Sequence, residues 1–591
     1  MSDVDNELET GLRHQQAGRL AEAEAHFRNV LARQPNHSRA LALLGAVAAR
    51  AGRLDAAIEL ISRAAAVEPM VADYHYNLGT LLWRSGNRDL AFKALSEAIR
   101  LSPGHAAAHC NIGAFHAELG QFEDAKRALK QATSLQPNFA LAFNNLGNVL
   151  KELGETPDAI ACYRRAVALA SGVPHFHSNL LFALNYQTGV SAEQLLAEQR
   201  VWSSVHADPL AADRREAAPA DPSRRRLRIG YVSPDFRDHA VGRNVLPLLR
   251  DSDRSGFEVF CYSNVARPDG LTQWFRSSAD AWRDIAAMSD AQAAELVRAD
   301  RVDVLVDLAL HTANNRLLVL ARRPAPVQVT FAGYPGGTGM AAIDYRLTDH
   351  HLDPPDADRY YVERSIRLPD SFWCYDAFAM QWGIADPPAV GGLPARAKGY
   401  TTFGCLNYLA KVNDAVLELW ARVLCAVHYS RLLLLAPEGA IRERIGDKMQ
   451  RLGVDRGRLS FASPRPRPEY LRLYDSMDIG LDTLPYNGHT SSLDSFWMGA
   501  PVITLVGDRV VGRAGLSHAL NLGLPEWVAR SPEEFVAVAM RWADNHDGLA
   551  KLRAGMRERF LRSPLADGPR FTRNIEAAYR RMWSERRAPG A

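Results

Sequence analysis

The chain has 591 residues, more than one hydrophobic core sustains and consistent with about three domains. Its 47% hydrophobic and 23% charged content is that of an ordinary globular protein, and 70 basic against 67 acidic residues leave no electrostatic case for nucleic acid or a membrane surface as main partner. The six cysteines (Cys110, Cys162, Cys261, Cys374, Cys405, Cys425) form no C-x-x-C pair, which argues against a disulfide framework or a zinc site. The segment MSDVDNELET is acidic and polar, and no apolar run approaches the ~20 residues of a membrane helix, so a cytoplasmic protein is expected.

Through the first third, a pattern returns every 34 residues. Glycines recur at Gly11, Gly45, Gly79, Gly113 and Gly147, and again at Gly18, Gly52, Gly86, Gly120 and Gly154. Alanines (Ala23, Ala57, Ala91, Ala125, Ala159) and prolines (Pro35, Pro69, Pro103, Pro137) keep the same step. Period and order are those of the tetratricopeptide repeat, a helix–turn–helix unit. Gly79 and Ala91 sit where helix backbones cross closely. Gly86 falls at the turn, where positive φ costs glycine little, and Pro103 follows the second helix. Stacking makes the core continuous, because one unit cannot bury its apolar face alone. Four full repeats are followed by an atypical fifth, with Ser171 where proline would fall, and helices such as SAEQLLAEQRVWSSV (191–205) then cap the array. Asn77, Asn111 and Asn145 are also 34 apart. They are either a ladder that bonds the backbone of an extended acceptor peptide or repeat asparagines bonded locally. An array of this kind docks protein, so the chemistry is expected further along the chain.

A polar, proline-bearing linker (207–226), carrying Arg224, Arg225 and Arg226, precedes a change of pattern. Short apolar runs ending in turn residues are predicted as buried parallel strands: RLRIGYVSPDF (226–236), FEVFCYS (257–263), VDVLVDLAL (302–310), VQVTFAG (327–333) and YRLTD (345–349). Helical stretches such as DAQAAELVRA (290–299) separate them, which argues a doubly wound α/β domain. After a Pro/Gly-rich linker (387–399) a second series follows: TTFGCLN (401–407), SRLLLLAP (430–437), RLSFASP (458–464), DIGLDTLPY (478–486) and PVITLVG (501–507). The last helix, FTRNIEAAYRRMWSERR (571–587), is amphipathic and is expected to pack back across both halves. The domains are therefore 1–190 (repeats), 191–226 (capping helices and linker), 227–386, the linker 387–399, and 400–591. Ligands of such paired sheets bind in the cleft at the carboxyl ends of the strands.

Polar clusters follow several of these strands. SPDFRDH ends in His239, either a general base near neutral pH or an exposed loop histidine. HTANNR (311–316) and GYPGGTG (333–339) follow two more strands, the latter with glycines that let backbone N–H groups approach a ligand. Lys411 in CLNYLAK is either a partner for a leaving diphosphate or a surface lysine. PYNGHTSSLDSFWMG (485–499) places Thr490, Ser491 and Ser492 at a helix start, where free N–H groups and the helix dipole bind phosphate. The other reading is a capping box of Ser491 with Asp494. The D-x-D pairs Asp3/Asp5 and Asp356/Asp358 lie in a tail and a proline-rich loop, so no metal site is expected. G-x-S-x-G and P-loop motifs are absent.

These segments together resemble the O-linked N-acetylglucosamine transferase family, including its Spindly-type branch. RIGYVSPDFRDH, HTANNR, RRPAPVQVTFAGYPGGTG, DYRLTD, FGCLNYLAK and LDTLPYNGHTSSLDSFWMGAPVITL occur in order over 228–507, behind the repeats. The few repeats and the short linker between catalytic halves look like a bacterial-type member. The resemblance implies an all-α tetratricopeptide superhelix followed by an α/β GT-B glycosyltransferase, two Rossmann-like domains flanking a cleft. It implies metal-independent, inverting transfer of a sugar from a nucleotide diphosphate to protein Ser/Thr, with no cofactor beyond the donor substrate. By motif, His239 matches the histidine proposed as base or sugar-positioning group, and Lys411 the lysine that stabilises the leaving diphosphate. His489, Thr490 and Ser491 match phosphate and nucleoside contacts, Asp494 the ribose contact, and Arg465 and Arg467 uracil contacts. Thr312 and the Gly333-Tyr334-Pro335 turn match the sugar pocket, with Tyr408 also placed against the nucleotide sugar. Three positions depart. Leu310 stands where glycine is usual and would crowd the sugar site, GYPGGTG differs from both branch variants, and Tyr470 replaces a histidine near the uracil. NGHTSS favours UDP-GlcNAc as donor. FGCLNYLAK and the SFWCYD region sit close to the branch that uses GDP-fucose, and Leu310 supports a third reading, a peptide-binding scaffold without turnover.

Overall fold

The computed structural model describes residues 3–214, 226–384 and 387–587. They divide into two compact units: the chain up to Leu150 with Ala168–Ala170, and Lys151–Val167 with everything from Ser171 onward.

The first unit is helical, and its helices pack as consecutive pairs, from Asp3–Gln16 with Leu20–Arg33 to Ala106–Glu118 with Phe122–Leu135. The 34-residue period has a steric cause. A Cβ added at Gly45 would lie 2.8 Å from Ile61 Cγ1, at Gly79 2.7 Å from Leu95 Cγ, and at Gly113 2.6 Å from Leu129 Cγ. Phe27, Ile61, Leu95 and Leu129, themselves 34 apart, fill the space the glycines leave and are fully buried. Gly18, Gly52, Gly86 and Gly120 take φ between +74° and +86° at the turns, the region glycine enters without cost. The second helices of these pairs start at Arg19, Arg53, Asn87 and Gln121 without a side-chain cap, so packing holds them rather than capping.

The second unit contains the helices Pro174–Leu184 and Ala192–Trp202, the latter opened by a capping box of Ser191 and Gln194. The start of the expected linker is helical turns (Asp208–Asp213); Arg224 and Arg225 lie outside the described residues. Two parallel sheets follow. The first holds β1 (Leu227–Ser233), β2 (Phe257–Ser263), β3 (Ala281–Asp284), β4 (Val304–Asp307), β5 (Val327–Thr330), β6 (Tyr345–Asp349) and β7 (Arg364–Leu368), in the order β3-β2-β1-β4-β5-β6-β7. The second holds β8 (Thr401–Cys405), β9 (Ser430–Leu435), β10 (Leu459–Ala462), β11 (Ile479–Leu481), β12 (Val502–Leu505) and β13 (Val528–Ala529), in the order β10-β9-β8-β11-β12-β13. Ile229 pairs with Val259 on one side and Val304 on the other, so strand order reverses between β1 and β4. In the second sheet it reverses between β8 and β11. Those are the two places where such sheets open a ligand crevice.

The central strands coincide with the apolar runs, several of them shorter than the runs. The sequence reading lacked β3, β7 and β13, which lie at sheet edges, where one neighbour is missing and no continuous apolar run is needed. The final helix, Gly568–Arg587, packs on the first sheet's β5 and β7 and on the helix Ala240–Arg250. Tyr579 Oη lies 3.4 Å from Tyr231 Oη, and Thr572 Oγ1 donates to the Pro247 carbonyl (3.1 Å). Among the described residues no helix is long and apolar enough to cross a membrane, and no group of three or more His, Cys, Asp or Glu is placed to hold a metal.

Candidate active site

The loops at both switch points carry the motif residues. After β1 the chain turns sharply enough that Gly242 is obligatory: a Cβ there would overlap the Arg237 carbonyl oxygen and lie 2.6 Å from that of Asp235. His239 caps the helix Ala240–Arg250. Its Nδ1 lies 3.3 Å from the Val241 N–H and also 3.3 Å from Asp235 Oδ1. These contacts require opposite tautomers. Capping Val241 needs a bare Nδ1 and puts the proton on Nε2. Donating Nδ1–H to Asp235 bares Nε2 as a proton acceptor. Burial lowers the His239 pKa and Asp235 opposes it. Arg243, paired with Asp238, feels the charges of Arg467 and Asp494.

Asp307, the last residue of β4, is buried and accepts from the N–H groups of Ala309 (3.2 Å) and Leu310 (2.8 Å) and from the Thr330 hydroxyl (2.8 Å). Burial raises its pKa to about 6. The turn it clamps puts Leu310 in the left-handed region, φ +51°. That gives a physical reason for a glycine there. The leucine is buried with Tyr186, Tyr334, Ala410, Tyr486 and Val511. His311 is fully buried, bonded to Ser178 Oγ (3.2 Å) and the Thr338 carbonyl (3.0 Å), with Trp202 edge-on. It fastens the capping helices to the first sheet. Thr312 Oγ1 donates to the Ala309 carbonyl (2.7 Å). Gly333 is a close approach, since a Cβ there would lie 2.6 Å from the Ala309 oxygen. Tyr334 and Pro335 behind it are buried.

In the second sheet, Asp482 follows β11 and accepts from the N–H groups of Thr483 (2.8 Å) and Gly488 (2.6 Å) and from the Thr504 hydroxyl (2.8 Å). Lys411 is buried, donates to the Asn487 carbonyl (2.7 Å), and holds Nζ 4.2 Å from the centre of the Tyr486 ring. Burial lowers its pKa, with Asp482 acting against the shift. The helix Thr490–Trp497 starts here. The N–H groups of Ser492 and Leu493 return to the His489 carbonyl, so those of Thr490 and Ser491 are the donors the helix leaves over. The expected capping box of Ser491 and Asp494 does not form. Ser491 Oγ donates to Asn407 Oδ1, and Asp494 accepts from Tyr375 Oη (2.5 Å) and from Arg467 (2.7 and 3.2 Å). Both oxygens of Asp494 are thus engaged, and a ribose hydroxyl reaching it would share with Arg467.

His489 lies between the rings of Trp373 (4.9 Å) and Tyr486 (4.6 Å). Burial and the Lys411 charge hold its pKa well below the usual histidine value. Tyr408 Oη bonds the Glu152 carboxylate, Tyr470 pairs with Tyr474 (2.7 Å), and Arg465 is exposed. In the first unit Asn77 is exposed. The Asn111 amide donates to Thr80 Oγ1 (3.0 Å) and that of Asn145 to Cys110 Sγ (3.7 Å), each on the first helix of the preceding repeat. Lys411, His489, Thr490 and Ser491 are therefore gathered around Asn407, Asn487 and Gly488, and Arg467 joins Asp494. His239 stands after β1, at the start of the helix whose Arg243 feels the charges of Arg467 and Asp494. Asn407, Asp482, Tyr375 and Trp373 were missed. Asn407 lies inside the CLNYLAK motif, and a polar residue directly after a buried strand was the available signal. His518, fully buried against Trp373 (4.5 Å), carried none.

A sequence model of glycosyl transferase family 41 matches residues 168–386 and 389–575, and tetratricopeptide repeat models match 14–78 and 82–142 and, separately, 56–106 and 116–174. A protein of Petunia hybrida named probable UDP-N-acetylglucosamine–peptide N-acetylglucosaminyltransferase SPINDLY is 38% identical over 413 residues, 68% of this chain and 44% of that protein. The Arabidopsis thaliana protein named SEC, of the same probable activity, is 32% identical over 369 residues, 61% of this chain and 37% of that protein. The chain thus spans less than half the length of these curated relatives. A solved structure of a mutant Thermobaculum terrenum O-GlcNAc transferase is 37% identical with a TM-score of 0.80, covering 87% of this chain and 98% of that one.

Proposed function

We propose that this chain, which belongs to glycosyl transferase family 41, transfers N-acetylglucosamine from UDP-N-acetylglucosamine to serine or threonine hydroxyls of proteins, with inversion and without metal. The observation that carries this reading is Lys411, a buried ammonium held by the Asn487 carbonyl beside the unused N–H groups of Thr490 and Ser491. A buried cation next to a helix start fits a diphosphate. In the transfer, the acceptor oxygen forms a bond to the anomeric carbon as the bond to the phosphate oxygen breaks. The electron pair leaves with UDP, whose charge Lys411 and the helix start neutralise. The hydroxyl proton passes to a base. His239 serves in the tautomer that donates Nδ1–H to Asp235, which leaves Nε2 bare. Acceptor proteins dock through the repeats, and the names of the curated relatives support both donor and acceptor.

The test is thermal unfolding with UDP and with GDP, each with a chelator present. Ligand at about 100 times its Kd stabilises by ~2.7 kcal/mol. A rise with UDP alone is expected and supports the donor assignment. A rise with GDP alone moves the donor to GDP-fucose, and a rise that needs divalent metal overturns the metal-free mechanism. UDP binding without transfer of any sugar to protein leaves a scaffold.

A further inference from the structure

Lys411 ends a single tight turn, Leu409–Lys411, between β8 and the helix Asp414–Ala426. The lysine does little to fix its own place. Its hydrogen bond goes to the neutral Asn487 carbonyl, and burial works against its charge. The three residues before it, however, are each met by the turn 152–156, which joins the helices Ala140–Glu152 and Thr156–Leu169. Tyr408 Oη donates to the Glu152 carboxylate. A Cβ at Gly154 would lie 3.1 Å from the Leu409 carbonyl oxygen, and Thr156 Oγ1 lies 3.5 Å from that of Ala410. Gly154 takes φ +68°, as the other turn glycines take positive φ, but a Cβ at Gly18, Gly52, Gly86 or Gly120 would meet nothing within 4 Å. This repeat turn therefore has a second task that the others lack. Arg444 holds it in turn, donating to the Leu153 carbonyl (3.1 Å).

Of the three contacts the Tyr408–Glu152 bond carries a charge, and hydrogen bonds to an ionised group are about twice as strong as neutral ones. Burial and the Glu152 charge push the Tyr408 pKa well above its usual value of 10, so the phenol remains a donor. We propose that Glu152 is a positioning residue for the transfer: through Tyr408 it sets the turn that presents the Lys411 ammonium to the diphosphate. The Tyr408 hydroxyl is then a strut that donates to Glu152 rather than to the sugar nucleotide. The inference rests on the nucleotide-sugar reading above and names what places its cation.

The assay is UDP release from UDP-N-acetylglucosamine, with a serine/threonine peptide library as acceptor and release to water included. It is run on the full chain, on Glu152→Ala, Glu152→Gln, Tyr408→Phe and Lys411→Met, and on Glu152→Ala and Tyr408→Phe each combined with Lys411→Met. A misplacement of about 1 Å can cost about 100-fold in rate. Glu152→Ala and Tyr408→Phe should therefore lower kcat by about 10- to 100-fold, with the donor KM moved by less than about threefold. Glu152→Gln, which keeps an acceptor of the same length, should recover most of the loss. On Lys411→Met neither change should cost more than about twofold, since residues that act as a unit are not additive. A merely structural role would multiply the losses instead. Equal losses with and without Lys411 overturn the positioning role alone, and so does an undiminished kcat in Tyr408→Phe, the variant that carries the comparison if Glu152→Ala shows no cooperative unfolding. If the native chain releases no UDP, or Lys411→Met releases it at the native rate, the transfer reading fails and the positioning role with it.

Discussion

Replacing Lys411 by methionine separates the cost of the site from its use. The ammonium is buried, its hydrogen bond goes to a neutral carbonyl, and the nearby carboxylate of Asp482 already accepts from Thr483, Gly488 and Thr504. Burial outweighs Asp482, so the folded pKa lies below the ordinary lysine value of 10.5. Each unit of that depression withholds ~1.4 kcal/mol of stability while lysine is protonated in the unfolded chain. Methionine has similar length and no charge. It recovers the withheld energy and forfeits about 1.5–3 kcal/mol for the charged hydrogen bond. The ligand-free Lys411→Met protein should therefore match the native chain at pH 7 within about 1–2 kcal/mol. The sign with pH is fixed: a lysine with a depressed folded pKa penalises the native chain fully below that pKa. The penalty fades as pH rises toward 10.5, so the native chain gains on the variant across that window. Transfer should fall by about 10²–10³, the scale for removing one preorganised electrostatic partner. Urea unfolding at pH 7 and pH 9.5 measures the first, and UDP release in the presence of acceptor protein the second. A loss of more than ~4 kcal/mol at pH 7 would make Lys411 structural, and undiminished transfer would remove it from the mechanism.

Gly488→Ala places a Cβ on Ser492 Oγ and 2.8 Å from Asn407 Oδ1 in a loop held by Asp482. Overpacking of this kind costs about 1–3 kcal/mol, and the thermal rise with UDP should vanish; a retained rise would place the nucleotide elsewhere. His311 is buried with its pKa lowered to about 4. The unfolded chain binds its proton first as pH falls, so stability should drop between about pH 6.5 and 4 by at most ~1.4 kcal/mol per unit. His311→Gln should flatten that part of the urea-midpoint curve relative to the native chain, and parallel curves would contradict the assignment. Asp235→Asn removes the charge that raises the His239 pKa. The acid limb of transfer should move to lower pH and the maximum should fall; an unmoved limb assigns the base to another group.

The repeats were legible because close helix crossing admits only glycine or alanine, and the same steric demand recurs at every crossing. The central strands were legible because both faces are covered, which leaves continuous apolar runs such as Val304–Asp307; the half-exposed β3 carries no such run. The motif loops were legible by their place after strands. Their partners were not, because Ser491 with Asn407 and Lys411 with Asn487 meet across 84 and 76 residues. The capping box failed for the same reason. Locally Ser491 and Asp494 suit one another, but Asn407 and Arg467 reach them first. Leu310 read as a departure in sequence, and only its φ gives the glycine preference a cause.

Both halves use one device that neither run reveals alone. A buried aspartate at the carboxyl end of the strand beside the switch point, Asp307 closing β4 and Asp482 just after β11, accepts two backbone N–H groups of the following loop and a threonine hydroxyl of the next strand. DLALHT and DTLPYNGHT differ in length and share little beyond that first residue and the closing His-Thr. A carboxylate with three donors is over-satisfied for an exposed loop and well matched to a buried one, where an unpaired charge would cost several kcal/mol. The loops at the two switch points are therefore pinned at their roots. Leu310 keeps its left-handed backbone because Asp307 holds its N–H, and Gly488 meets Asn407 because Asp482 holds its own. Arg467 and Asp494 are already bonded to one another and to Tyr375. There a nucleotide must compete with contacts already made, so the Arg467–Asp494 pair sets part of the binding energy before any donor arrives.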